Sequence, residues 1–178
     1  MALSKWAVDG THSAVEFSVK HMMISNVRGN FQKFEAEIVA DASDLTSAEI
    51  QFSIDVASID TRDAQRNGHL LSADFFDVEK YPQISFKSTK ITSKGAGEYA
   101  LGGDLSIHGV TQPVTFDVSF EGEGKDPWGN HRAGFSAKAV INRKDYGLSW
   151  NTLLETGGVL IGEQVKVSLQ LEAIKQAE

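Results

Sequence analysis

From Ala48 to Val56 the chain alternates without a break: Ala48, Ile50, Phe52, Ile54 and Val56 are apolar, while Glu49, Gln51, Ser53 and Asp55 are polar. A period of two marks a β-strand with one buried and one wet face, and it is incompatible with an amphipathic helix, whose apolar positions recur every three or four residues. The pattern returns along the sequence. It runs through Val15, Phe17 and Val19, through Ile84 and Phe86, and through Tyr99, Leu101, Gly103, Leu105 and Ile107. It continues through Val114, Phe116, Val118 and Phe120, through Ala133, Phe135, Ala137, Ala139 and Ile141, and through Val165, Val167, Leu169 and Leu171. Turn residues punctuate the runs at Lys94-Gly95-Ala96-Gly97, His108-Gly109 and Asp126-Pro127-Trp128-Gly129-Asn130. Between Phe31 and the set Phe34, Ala36 and Ile38 the buried parity switches, which requires a bulge or bend.

About eight strands at hairpin spacing, with helix confined to short interruptions, indicate an all-β fold, either a sandwich or a closed barrel. The reading adopted is a single domain over residues 1–178, an extended antiparallel eight-stranded β-barrel. A barrel of that size is either filled by its own side chains or encloses one small or elongated ligand. Small residues on the inward parity, Ala36, Gly103, Ala133, Ala137 and Ala139, lean toward internal space. Small residues also let a sheet bend or accommodate a facing Phe.

One stretch does not alternate. From Arg66 to Phe86 it sets Phe75 and Phe76 between Asp74 and Asp77, carries Arg66 and His69, and returns to extended geometry at Tyr81-Pro82. Such a break is either the mouth of a binding site or a plug on the end of the sheet. Asp60-Thr61 is the expected cap of a short helix beginning near Arg62 and weakened by Gly68.

The ionisable residues narrow the chemistry further. A formal charge of −7 disfavours a nucleic-acid partner. Without cysteine there is no disulfide, no cysteine-zinc site and no thiol catalysis. No run is apolar and long enough to span a bilayer, and the first residues do not read as a signal peptide. The expected location is therefore cytoplasmic, or periplasmic if a leader has been removed. The inward faces carry almost no titratable group, and there is no G-x-S-x-G, P-loop or dinucleotide fingerprint, so neither an enzyme nor a cofactor is expected. His12, His21, His69, His108 and His131 lack ligand spacing, and no metal is expected. Arg62, Arg66 and Arg143 are the candidates for an anionic head group; the alternative is ion pairing with Asp60, Asp63 or Asp145, and for Arg143 the pair with Asp145 is preferred. Met22, Met23 and Ile24 form an apolar cluster suited equally to lipid chains and to a dimer contact.

Ordered blocks along nearly the whole chain resemble the YceI-like family of polyisoprenoid-binding or lipid-binding proteins. They are Asp9 with His12-Ser13, Phe17 and His21-Met22; Val27-Arg28-Gly29-Asn30-Phe31; Ser58-Ile59-Asp60-Thr61; and His69-Leu70 through Asp74-Phe75-Phe76-Asp77. Tyr81-Pro82 with Ile84 and Phe86, Gly103-Asp104-Leu105 with His108-Gly109-Val110-Thr111 and Pro113-Val114, and Asn142-Arg143-Lys144-Asp145-Tyr146-Gly147-Leu148 complete the set. The resemblance implies a lipocalin-like barrel, a long apolar tunnel for an isoprenoid or similar amphiphile, binding rather than catalysis, and a homodimer. The Gly-x-Trp of true lipocalins is absent at Trp6. Inward parity then assigns Phe17, Val19, Phe34, Ile38, Phe52, Ile54, Ile84, Phe86, Leu101, Leu105, Phe116, Val118 and Phe135 to the tunnel that the resemblance implies, and Phe75, Phe76, Trp150 and Leu154 join it from the non-alternating segments. His21, Arg66 and His69 are placed at a polar mouth by position. Three functions compete: a carrier or store of a long-chain lipid or isoprenoid quinone, a filled barrel acting as a homodimeric assembly or stress-related module, and an enzyme on an isoprenoid substrate with His69 or His21 as base.

Overall fold

The computed structural model describes residues 3–151 and 160–177. Its strands are β1 (Ser4–Val8), β2 (Ala14–His21), β3 (Ser25–Phe31), β4 (Phe34–Asp41), β5 (Asp44–Asp55), β6 (Ile59–Asp60), β7 (Gln83–Gly95), β8 (Glu98–Ile107), β9 (Val110–Lys125), β10 (His131–Asn142) and β11 (Ile161–Lys175), with one α-helix, α1 (Ala64–Leu71). Pairing runs β1-β4-β5-β7-β8-β9-β10-β11, and β11 returns to β1, which closes an eight-stranded antiparallel barrel.

The three remaining strands belong to the same barrel. Both β1 and β2 pair antiparallel with β11, β3 pairs with β2, and β6 pairs with β3. Thus β1 and β2 are two halves of one broken strand, as are β3 and β4, and β5 and β6. Each break has a local cause. Asp9 accepts from the Thr11 N–H at 3.0 Å and turns the chain through Gly10–His12; Asp55 caps Val56–Ser58 through the Ala57 N–H at 3.1 Å. The predicted parity switch falls at Gln32-Lys33, where the Lys33 N–H donates to Ser58 Oγ at 3.0 Å and so aligns the second break with the third. After the third break, α1 with the following turn connects β6 to β7. The helix cap is Asp63, not Asp60-Thr61: its carboxylate accepts from the Arg66 N–H at 3.1 Å, while Asp60 accepts from the Arg62 N–H. Gly68 does not end the helix, which continues to Leu71.

Two apolar clusters line the interior. The larger one includes Val15, Phe31, Phe52, Ile84, Phe86, Leu105, Phe116 and Leu169; the smaller one gathers Ala40, Ala133 and Ala173 around Trp6. Ala133 is therefore small to admit an indole, not to leave a void. Gly103 answers to a facing ring as well, because a Cβ there would collide with Phe86. Gly29 does the same for Phe17, whose Cζ would lie 2.5 Å from such a Cβ.

Near the Trp6 end, Arg132 ties the Asp9 turn and the Asp126 turn to strand β11. Its Nε donates to Asp126 Oδ2 at 2.7 Å and its Nη1 to Asp9 Oδ2 and Glu172 Oε2, each at 2.8 Å. His12 Nδ1 lies 2.7 Å from the same Asp9 oxygen. Asp9, His12 and Glu172 make a His-carboxylate cluster of the kind that can hold a cation, but the Arg132 guanidinium already binds both of its carboxylates. The network depresses Asp126 to about 2, chiefly through Arg132. It holds Asp9 far below the usual carboxylate range, first through His12 and then through Arg132. Carboxylates lowered in the folded state stabilise above their unfolded pKa of about 3.9 and lose that contribution as pH falls. Thermal stability is expected to decline from about pH 4 toward pH 2, and Arg132→Ala should flatten that acid limb. A variant limb as steep as the wild type's in a pH series of melting curves would contradict the assignment. His12 is raised by Asp9, so its opposite contribution is complete below its ordinary pKa and disappears as pH rises past the raised value.

Candidate ligand-binding cavity

The barrel encloses a cavity of about 600 Å³, within the roughly 300–1,000 Å³ of small-molecule sites. Its wall along the strands is almost wholly apolar. Phe17 and Val19 come from β2, Ile38 from β4, Phe52 and Ile54 from β5, Ile84 and Phe86 from β7, Leu101 and Leu105 from β8, Phe116 and Val118 from β9, and Phe135 from β10. Phe75, Phe76 and Trp150 complete the wall at one end. Phe34 does not reach it. Although it sits on the inward parity, its ring stacks on Phe52 at 5.8 Å and is kept from the lumen. Leu154 lies outside the described residues.

Sequence reasoning left out one whole side of this wall. Val165, Val167, Leu169 and Leu171 of β11 line the cavity, as do Phe31, Ile50, Ile107, Ala137 and Leu148. The β11 residues were legible from their alternation.

Apart from Glu16, farther along β2, and Tyr99 on β8, the ionisable residues of the wall, Lys20, His21, Asp63, Arg66, His69 and Arg143, gather where β2, α1 and the ends of β10 and β11 meet. Phe75 and Phe76 stand beside them, so the non-alternating stretch both edges the polar end and plugs the sheet. Phe75 is buried, with ring contacts to His69 at 5.1 Å and Trp150 at 5.3 Å; Phe76 meets Phe31 at 6.2 Å. His69 also meets Trp150 edge-on at 4.7 Å and donates from Nε2 to Asp74 Oδ2 at 3.0 Å. Among the described residues no hydroxyl is hydrogen-bonded to its ring. Arg66 lies on the wall, but its guanidinium is bonded to Thr61, with Nε donating to Oγ1 at 2.9 Å and Nη2 to the carbonyl. It braces the start of the helix against Thr61.

Arg143 departs most from expectation. It is 4% exposed, and among the described residues it makes no ion pair with Asp145. Its guanidinium donates to four backbone carbonyls: Leu148, Trp150 at 3.0 Å, Ile161 at 3.3 Å and Gly162 at 2.8 Å. Burial pushes its pKa below the ordinary guanidinium value, opposed by the Glu163 carboxylate. Neighbouring carbonyl dipoles take the place of a counter-ion. The effect is to clamp Leu148 and Trp150 on one side against Ile161 and Gly162 on the other, and so fix the wall beside His69.

A sequence profile for the YceI-like domain matches residues 6–173. The chain belongs to the YceI-like family. Among its relatives, a UPF0312 protein of Staphylococcus aureus strain N315 is 37% identical over 171 residues, 96% of this YceI-like chain and 97% of that protein. A UPF0312 protein of Pseudomonas putida strain W619 is 36% identical over 168 residues, covering 94% and 84%. The crystal structure of Burkholderia cenocepacia BcnA superposes with a TM-score of 0.82 at 28% identity, covering 93% of this chain and 98% of that one. A polyisoprenoid binding domain from Saccharophagus degradans, implicated in plant cell wall breakdown, superposes at 0.74 with 17% identity over 96% and 98%, a likeness of fold. The eight-stranded antiparallel barrel preferred from the alternation is the fold observed, and no helix among the described residues is long and apolar enough to cross a membrane.

Proposed function

We propose that the protein binds one long-chain amphiphilic lipid, of the polyisoprenoid or isoprenoid-quinone class, as a carrier or store. The chain occupies the cavity, and the head group rests among His21, His69 and Arg66. The observation that carries this reading is the distribution of polarity: an apolar volume of about 600 Å³ most of whose ionisable groups gather at one end. Membership of the YceI-like family supports binding as the role. The same fold serves the polyisoprenoid binding domain from Saccharophagus degradans, which supports the ligand class at the level of architecture. A filled barrel would have no such volume. We read the site as non-catalytic because His69 is oriented by Asp74 but activates no bonded hydroxyl among the described residues.

Each methylene moved from water into the cavity contributes about 0.8 kcal/mol, or roughly fourfold in affinity. A titration series of prenyl and fatty chains is therefore expected to show affinity rising several-fold per added carbon until the cavity is full, then levelling. Affinity independent of chain length would oppose the reading.

A further inference from the structure

We propose that the hairpin tip joining β2 to β3, Met22 to Ile24, docks the polar end of the cavity onto the surface of an anionic lipid bilayer. The inference rests on the reading that the cavity takes a lipid, and it goes beyond it in saying where that lipid is exchanged.

Met22, Met23 and Ile24 are 41%, 58% and 81% exposed, and among the described residues they form three consecutive members of a small set of exposed large apolar side chains that also holds Leu3, Trp128 and Val140. They also sit in a costly turn. Met22 and Met23 adopt φ of 54° and 63°, the left-handed region that disfavours any side chain with a Cβ. The comparable tight turn at His108-Gly109 places a glycine at one of its two left-handed positions. Asn-Gly would form the Met22-Met23 turn with less strain and better solubility. Two strained methionines and an exposed isoleucine therefore favour contact with something apolar over the turn itself.

Position and charge identify the partner. The tip continues directly from the cavity wall: His21 pairs with Ile161, the Met22 N–H donates to the Leu160 carbonyl at 2.8 Å, and Lys20, His21, Leu160 and Ile161 all line the cavity. Between Glu16 and Glu35 the sequence has no acidic residue but carries Lys20, His21, Arg28 and Lys33, in a chain whose net charge is −7. Lys20 and Arg28 are exposed on the hairpin, and among the described residues neither forms an ion pair. Apolar residues flanked by cations fit an anionic bilayer, which accepts a few inserted side chains and attracts the bases around them. A second copy of the chain would need about 800 Å² from each partner, more than three side chains provide.

The test is co-sedimentation of the full chain with phosphatidylcholine vesicles, with and without phosphatidylglycerol, alongside M22N/M23G/I24S, which places an Asn-Gly turn at the tip. The wild type is expected to partition onto phosphatidylglycerol vesicles in a salt-sensitive way. The variant should lose at least tenfold in partition while melting no lower and binding detergent-dispersed chains in its cavity unchanged. Equal vesicle binding by both proteins overturns the proposal. So does a concentration-dependent dimer that the variant alone fails to form, which would make the tip a contact between copies. If neither protein takes a chain into its cavity but vesicle binding still depends on the tip, docking stands and the lipid-binding reading fails.

Discussion

Ala137→Phe is expected to cost long chains about a thousandfold in affinity while leaving short ones bound. Ala137 lies midway along β10, between Val118 of β9 and Leu169 of β11, and lines the cavity. A phenyl ring projecting there would divide the lumen and exclude the far part of a ligand. Displacing about five methylenes at about 0.8 kcal/mol each removes roughly 4 kcal/mol. The fold should tolerate the ring, because overpacking of about 1–3 kcal/mol applies to filled cores and this one has room. Isothermal titration with a long and a short chain, beside a melting curve, measures both effects. An unchanged long-chain affinity would mean that the ligand lies elsewhere.

Arg143→Met should have the largest effect on stability. The substitution keeps the buried stem but removes the donors that serve the Leu148, Trp150, Ile161 and Gly162 carbonyls. Leaving even two of them without a partner costs about 3 kcal/mol, roughly a 6–12 °C fall in melting temperature for a domain of this size. Arg143→Lys should recover only part of the loss, since a compact ammonium cannot span four acceptors on two segments. Tryptophan fluorescence should shift as well, because Trp150 loses its anchor against His69 and Phe75. A melting temperature within a degree of wild type would show the clamp to be idle.

The barrel was legible because a period of two is a local signal. Ala48 to Val56 states its buried face residue by residue, and pairing such strands in order yields the observed meander. The sequence also marked the Phe31/Phe34 break, since a parity change has no other backbone solution. It did not reveal β1, a five-residue strand too short to establish a period. The site was legible in its apolar wall and much less so in its polar end. Phe34 shares the inward parity yet stacks behind Phe52, and parity alone cannot distinguish a lumen from the floor beneath it. Arg143 stands two residues from Asp145 and suggested a local pair, whereas its acceptors lie five to nineteen residues away. Arg132 likewise meets Asp9 across the closure of the barrel, a contact created by topology and written in no local pattern.

Native mass spectrometry of the full chain purified without detergent, followed by organic extraction, tests the central claim most directly. The lipid-binding account predicts a stoichiometric long-chain adduct, or an apo mass that shifts by one ligand when polyprenyl or fatty chains are added. An apo mass that no such chain shifts would contradict it.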